Sequence, residues 1–264
     1  MADVPVLREL DDGVLRVTLN RPRKRNAFDD AQWDGFRDAL RDASADPAVA
    51  VMLLSGAGED FSAGQDLTAF GAAAQSRDDG QPSGYFGAAR ALAAFDKPLV
   101  AAAKGVAVGG GATILFHADL VYVGERLRMR LPFVSLGLVP EFAASYLLQA
   151  RIGSRRAAEL FYTAEWIDAA RALETGIATA VCRDEQLLDF ALAKAREIAK
   201  HPVSSLQATK RTLLRAHEAG VAVAFEAEDA GMRAQAGSPE NVEAVRAFLE
   251  KREPDFAQFR RRSS

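Results

Sequence analysis

Two glycine turns, each at the end of an apolar run, constrain this chain more than any other feature. One is Phe61-Ser62-Ala63-Gly64-Gln65-Asp66-Leu67 and the other Gly109-Gly110-Gly111-Ala112-Thr113. Each follows a stretch that reads as a buried strand and precedes one that reads as helix. Small residues at such a junction let a ligand approach the backbone closely. The first N–H groups of a helix lack internal partners and can point at an anion. Two such turns in one domain can offer two N–H groups to a single oxygen, which is the construction of an oxyanion hole.

The segments around these turns indicate the fold class. Residues 14–19, 50–55, 99–103 and 120–123 predict strands, and the continuous apolar character of those that lack a charged residue predicts burial on both faces. Residues 29–43 carry Trp33, Phe36 and Leu40 at helical spacing, with Asp29 or Asp30 as the N-cap. From Asp184 onward strand signals stop. Residues 184–200, 203–217, 221–236 and 239–251 predict helices, the last opened by Ser238-Pro239-Glu240. The chain is therefore α/β over its first two-thirds and helical thereafter. Residues 71–84 form its one low-complexity segment, either a surface loop or a lid over the site.

The 264 residues suffice for a sizeable core, and a formal net charge of −3 gives no nucleic-acid footprint. A basic cluster, Arg21-Arg23-Lys24-Arg25, reads as solvated surface or as an anion site; Arg260-Arg261-Arg262 reads as a frayed tail. The single cysteine, Cys182, excludes an intrachain disulfide and fits a reducing compartment. No Cys/His cluster suggests a metal, no apolar run approaches a membrane span, and no secretory leader is apparent. A soluble, cytoplasmic protein without metal or membrane partner is expected. The three histidines lie in no motif, and neither Ser62 nor Ser145 has a visible His/Asp partner set for a serine-hydrolase triad.

Four stretches, in order, resemble the crotonase (enoyl-CoA hydratase/isomerase) superfamily. They are Asn20-Arg21-Pro22 with Arg25-Asn26-Ala27-Phe28; Ala63-Gly64-Gln65-Asp66-Leu67; Lys97-Pro98-Leu99-Val100-Ala101-Ala102-Ala103-Lys104-Gly105 running into Gly109-Gly110-Gly111; and the ending Ala247-Phe248-Leu249-Glu250-Lys251-Arg252-Glu253-Pro254-Asp255-Phe256. The resemblance implies a ClpP/crotonase-like spiral of β-β-α units over 1–200. It implies a helical trimerisation region over 201–264, in homotrimers or dimers of trimers. It implies an acyl-CoA thioester substrate, with coenzyme A as part of that substrate and no permanently bound cofactor. The thioester oxygen would lie between the backbone N–H groups of Gln65 and Gly110, where losing one donor costs about 3–4 kcal/mol. Arg23, Lys24 and Arg25 would follow the coenzyme A phosphates. Ala63, Asp66 and Leu67 lie in the turn along the adenine and pantetheine path, and Phe248 and Lys251 would complete that site.

The chain departs from the hydratase pattern at both glutamates of that family. The first position, three residues after Gly110, is Thr113, and the second, after Pro132, is Phe133. A different acid follows: Glu141, after Pro140, resembles the single proton shuttle of the Δ3,Δ2-enoyl-CoA isomerase branch. One carboxylate can take a proton from C2 and return it at C4. Phe133, Phe142 and Phe95 would dry the pocket and raise the Glu141 pKa. Pro140-Glu141 also predicts the first turn of a helix, whose dipole would lower that pKa. Isomerisation of a 3-enoyl-CoA to a 2-enoyl-CoA in fatty acid or related acyl-CoA degradation is the expected function. The alternatives are a hydratase with a non-standard base, another crotonase reaction such as thioester hydrolysis, and a non-catalytic acyl-CoA-binding protein.

Overall fold

The computed structural model describes residues 4–66 and 84–260. Leu67, most of the 71–84 segment and the last arginines of the tail lie outside the described residues.

The main sheet has six strands: β1 (Val6–Asp11), β2 (Val14–Leu19), β3 (Val51–Gly56), β4 (Leu99–Ala103), β6 (Leu120–Gly124) and β9 (Ala180–Cys182). Its order is β1-β2-β3-β4-β6-β9; β1 pairs antiparallel to β2 and every other pairing is parallel. A second sheet joins β5 (Val106–Val108), β7 (Arg128–Arg130) and β8 (Trp166–Asp168) in the order β5-β7-β8. The chain thus alternates between sheets, β4 to β5 and β6 to β7, and winds a spiral of strand pairs.

The two-sided burial predicted from the apolar strands is found. Val14, Val51, Leu53, Val100, Ala102 and Tyr122 face helix α7 (Leu187–Ala199) through Leu187, Ala191 and Ala195. The alternate residues Val17, Leu19, Met52, Leu54, Ala101 and Val123 enter the larger core. There they meet helix α1 (Asp30–Ala45), whose Trp33, Phe36 and Leu40 form the predicted stripe, and helix α2 (Gly84–Ala94), which packs along α1. Asp29 is the N-cap of α1, accepting from the Gln32 N–H at 2.9 Å. Every residue of β4 is buried.

Helix α3 (Gly110–Thr113) starts at the second glycine turn, followed by the 3-10 turn Ile114–His117. Then come α4 (Ala144–Ile152), α5 (Ser154–Thr163) and α6 (Ala169–Thr175). The last third holds α7, α8 (Val203–Arg215), α9 (Glu218–Gln235) and α10 (Pro239–Leu249), with Ser238 capping α10 as expected. The α7 helix begins at Leu187 rather than Asp184. Asp184 is instead buried and accepts from the Arg126 main-chain N–H and guanidinium, so its carboxylate anchors a loop. The C-terminal helices are fastened to the core: Lys210 on α8 reaches Asp119 at 2.7 Å, and α9 packs on α4.

Candidate active site

The two glycine turns pack backbone against backbone. Gly64 has φ +81°, and a Cβ there would meet the Val108 carbonyl at 2.4 Å and the Gly110 nitrogen at 3.4 Å. A Cβ on Gly111 would meet the Ser62 carbonyl at 2.5 Å. Side chains at these positions would force the turns apart. The contact is fixed by the Val108 N–H donating to the Ser62 carbonyl and by the Ser62–Ala107 bridge. Ser62 Oγ donates to the Asn26 carbonyl and accepts from the Gly64 N–H, so it is part of the turn's frame. Among the described residues, the N–H groups of Gln65 and Gly110 have no hydrogen-bond acceptor. Neighbouring groups in each turn are paired: Asp66 N–H donates to Phe28, while Ala112 and Thr113 donate to Gly109.

Trp33 forms one wall. It stacks on Phe28 (ring centroids 3.8 Å apart) and Phe142 (5.5 Å), and its indole N–H donates to Gln65 Oε1 at 2.9 Å. Its ring edge lies 3.3 Å from the place a Gly110 Cβ would occupy. Glu141 stands across from the same glycine, with Oε1 at 3.0 Å from that Cβ position. Glu141 Oε2 accepts the Tyr85 hydroxyl proton at 2.8 Å. One carboxyl oxygen is thus held by a tyrosine while the other faces the glycine turn.

The stretch carrying Glu141 is not the first turn of a helix. Phe142 and Ala143 have φ of +59° and +54°, and α4 begins at Ala144. Three contacts hold this bend. His117 donates to the Phe142 carbonyl at 2.7 Å, and burial lowers its pKa to about 4, which keeps the imidazole neutral. Glu228 on α9 is buried and accepts from the Ala143 N–H at 2.7 Å and the Ser145 N–H at 2.8 Å, groups that α4 itself leaves unpaired. The lowered pKa expected from a helix dipole is likewise replaced by a raised one. Burial pushes the Glu141 carboxyl up to about 7; the Tyr85 hydrogen bond opposes this and the nearby Glu228 charge adds to it. Burial, Glu141 and its hydrogen bond hold the Tyr85 hydroxyl protonated, with its pKa well above the usual tyrosine value.

A small cleft opens beside this pair, between α2 and α9. Its apolar lining includes Phe86, Ala89, Phe142, Phe225 and Met232, and Arg90 and Asp229 stand at its polar side. Of the three phenylalanines expected to dry the pocket, only Phe142 lines it. Phe133 packs against Phe161 and Phe95 lies beneath Lys210. Thr113 is fully buried, with its hydroxyl bonded back to the Gly110 carbonyl at 3.3 Å. Because α9 lines the cleft and braces the Glu141 bend, a boundary at residue 200 does not separate the site from the C-terminal helices.

Arg23 and Lys24 are exposed on the 3-10 turn Pro22–Lys24, and Arg25 follows in the left-handed conformation. The Arg25 carbonyl accepts from the Ala63 N–H at 2.8 Å, which brings the basic cluster beside the first glycine turn. Asp66 is buried and ion-paired to Arg21 at 3.3 Å, while Arg21 also reaches Asp29 at 3.0 Å. Its carboxylate therefore braces the turn. Phe248 and Lys251 are exposed at the end of α10, and among the described residues no bond links them to the basic cluster. Trp33 and Glu228 are site residues that sequence patterns did not assign; Tyr85, Phe86 and Ala89, which follow the low-complexity segment and are expected from the sequence to shape the acyl pocket, do line the cleft. Among the described residues no group of His, Cys, Asp and Glu could hold a metal, and no helix is long and apolar enough to cross a membrane.

Two adjoining glycine turns, with N–H groups that lack acceptors among the described residues, and a carboxyl facing Gly110 make up the candidate site. The chain matches the enoyl-CoA hydratase/isomerase family over residues 9–260, and it belongs to that family. It is 33% identical to the 2,3-dehydroadipyl-CoA hydratase of Escherichia coli (strain K12), covering 92% of this chain and 94% of that one. It is 32% identical to the 1,2-epoxyphenylacetyl-CoA isomerase of the same organism, covering 95% and 97%. The crystal structure of an enoyl-CoA hydratase/isomerase from Pseudoalteromonas atlantica T6c superposes with a TM-score of 0.91, at 32% identity over 96% of this chain and 99% of that one. The fold is the crotonase fold.

Proposed function

We propose that this enzyme moves the double bond of a 3-enoyl-CoA into conjugation with the thioester, giving a 2-enoyl-CoA. The observation that carries the reading is the Glu141 carboxyl, whose Oε1 faces Gly110 while both hydratase positions hold groups without a carboxylate, Thr113 and Phe133. The thioester oxygen accepts from the N–H groups of Gln65 and Gly110. The ionised Glu141 takes a proton from C2, and the C2 electrons move onto the thioester oxygen as a dienolate. The two N–H groups stabilise that oxyanion more than the neutral carbonyl, which lowers the barrier. The neutral Glu141 carboxyl then returns its proton at C4. A pKa near 7 suits a group that must do both at neutral pH.

Coenzyme A enters this reading as the carrier of the acyl group. The exposed Arg23, Lys24 and Arg25 supply charge for its phosphates, beside Ala63 on the pantetheine path. Exposed Leu213, Val223, Val242, Phe248 and Leu249 on α8 to α10 support self-association, as a trimer or a dimer of trimers, with Phe248 and Lys251 reaching a neighbour's coenzyme A site.

Hydration is the second reading, favoured by the similarity to a dehydroadipyl-CoA hydratase, with Glu141 activating water. Product analysis separates the two. The purified protein is given a medium-chain 3-enoyl-CoA and, in parallel, the matching trans-2-enoyl-CoA. Conjugated thioester from the first, with little 3-hydroxyacyl-CoA from the second, is the expected result. Rapid hydration of the second would overturn it, and binding of both without turnover would indicate an acyl-CoA-binding protein.

A further inference from the structure

We infer that Tyr85 is the positioning residue of the proton carrier: by holding Glu141 Oε2, it makes Oε1, the oxygen facing Gly110, the one that exchanges protons with substrate. The inference rests on the isomerase reading above.

The geometry is asymmetric. A carboxyl can rotate about its terminal torsion, which is broad for glutamate, and either oxygen could face the glycine turn. The 2.8 Å bond from the Tyr85 hydroxyl removes that freedom. Tyr85 is itself fixed, edge-on to Trp33 at 5.5 Å, to Phe142 at 5.2 Å and to Phe86 at 5.1 Å. Its ring therefore cannot follow a wandering carboxyl. Trp33 touches both ends of the site, bonding Gln65 on one side and packing against Tyr85 on the other. The N–H groups of Gln65 and Gly110 and the base are thus referenced to one rigid indole. Preorganisation of this kind is where a misplacement of about 1 Å costs about 100-fold in rate.

The same hydrogen bond has an electrostatic sign. A hydroxyl donating to a carboxylate stabilises its charged form and lowers its pKa. Tyr85 opposes the burial that raises Glu141, so its loss raises that pKa further. The other charged or titratable groups near the carboxyl are Arg90 on α2, Glu228 and Asp229 on α9, and His117 behind Phe142. None of them donates a hydrogen bond to Glu141.

The test is Tyr85→Phe, which keeps the ring and removes the hydroxyl. The expected result is a kcat lowered about 10- to 100-fold at nearly unchanged KM, with the acid limb of the pH profile moved to higher pH. An infrared titration of the free enzyme reads the same effect without turnover. The Glu141 carboxyl band, identified by its absence in Glu141→Gln, should titrate at higher pH in Tyr85→Phe. If Tyr85→Phe does not fold, a difluorinated tyrosine at position 85 keeps ring and hydroxyl but donates more strongly, and the midpoint should fall. An unmoved midpoint with unchanged kcat, while Glu141→Gln is inactive, overturns the positioning role alone. Isomerisation that survives in Glu141→Gln overturns Glu141 as the proton carrier and this inference with it, whereas a wild-type enzyme that forms no 2-enoyl-CoA from a 3-enoyl-CoA overturns the isomerase reading itself.

Discussion

Replacing Glu141 by glutamine should make the protein more stable and inactive at once, with a stability gain that grows as pH rises from about 4.5 to about 7 and is full above it. Glutamine keeps the shape and an oxygen for the Tyr85 hydroxyl, but it never ionises. In the wild type, burial holds the Glu141 carboxyl near 7, against an ordinary value of 4.5. A folded-state pKa above the unfolded one means that the folded protein keeps its proton longer. Below about pH 4.5 both states are protonated and the acid costs nothing. As pH rises toward 7 the unfolded chain ionises first, and stability falls. Above 7 both are ionised and the full penalty is present. The gap between 4.5 and 7, at about 1.4 kcal/mol per pH unit, amounts to about 3 kcal/mol.

Urea denaturation of both proteins from about pH 4 to about pH 8 measures this directly. The curves should converge at the acid end and separate by about 3 kcal/mol at the alkaline end, with the variant more stable. For a chain of this size that is a rise in Tm of about 6–12 °C. Isomerase turnover should fall about 100- to 10,000-fold in the same variant. Superimposable stability curves across the range would refute the reasoning, because they would show that folding does not perturb Glu141.

Gly64→Ala should destabilise by roughly 2–6 kcal/mol and abolish turnover, since the new Cβ meets the Val108 carbonyl at φ +81°; thermal unfolding and activity check it. Glu228→Ala should lower stability by about 2–6 kcal/mol, because two backbone N–H groups lose their acceptor, and kcat should fall with it as the Glu141 bend loosens. Arg23→Ser combined with Lys24→Ser should raise KM for a CoA thioester about tenfold with kcat unchanged, and added salt should shrink the difference. Steady-state kinetics at two ionic strengths decide that last point.

The sequence and the structure agree where the backbone carries the information. Parallel strands buried on both faces must be apolar, so the segments 51–54 and 99–103 were legible as runs, while 14–19, with Arg16 and Thr18 half-exposed, was legible by its alternation. The short strands β5, β7 and β8 were not, since arginines at 128 and 130 give no run and three residues take their identity from their partners. Both glycine turns were legible for a steric reason: no side chain fits where Gly64 and Gly111 approach their neighbours. The environment of Glu141 was not. Phe142 and Ala143 adopt left-handed conformations that their residue types do not announce, and those conformations replace the expected helix turn. Tyr85 and Glu228 lie 56 and 85 positions away from the residues they hold, so no local pattern registers those contacts.

This division explains why a chain can share about a third of its residues with both a hydratase and an isomerase. The oxyanion hole is made of main-chain N–H groups, and glycine turns suffice to keep it. The reaction is chosen by which carboxyl faces that hole and how it is protonated. On the proposed reading that choice falls to Tyr85 from α2, Glu228 from α9 and His117 from the 3-10 turn, three side chains brought together only by the tertiary fold. Exchanging those contacts would change the position or the pKa of the base while leaving the strands and turns as they are. Overall identity therefore tracks the scaffold, and the side chains around Glu141 carry the information about the chemistry.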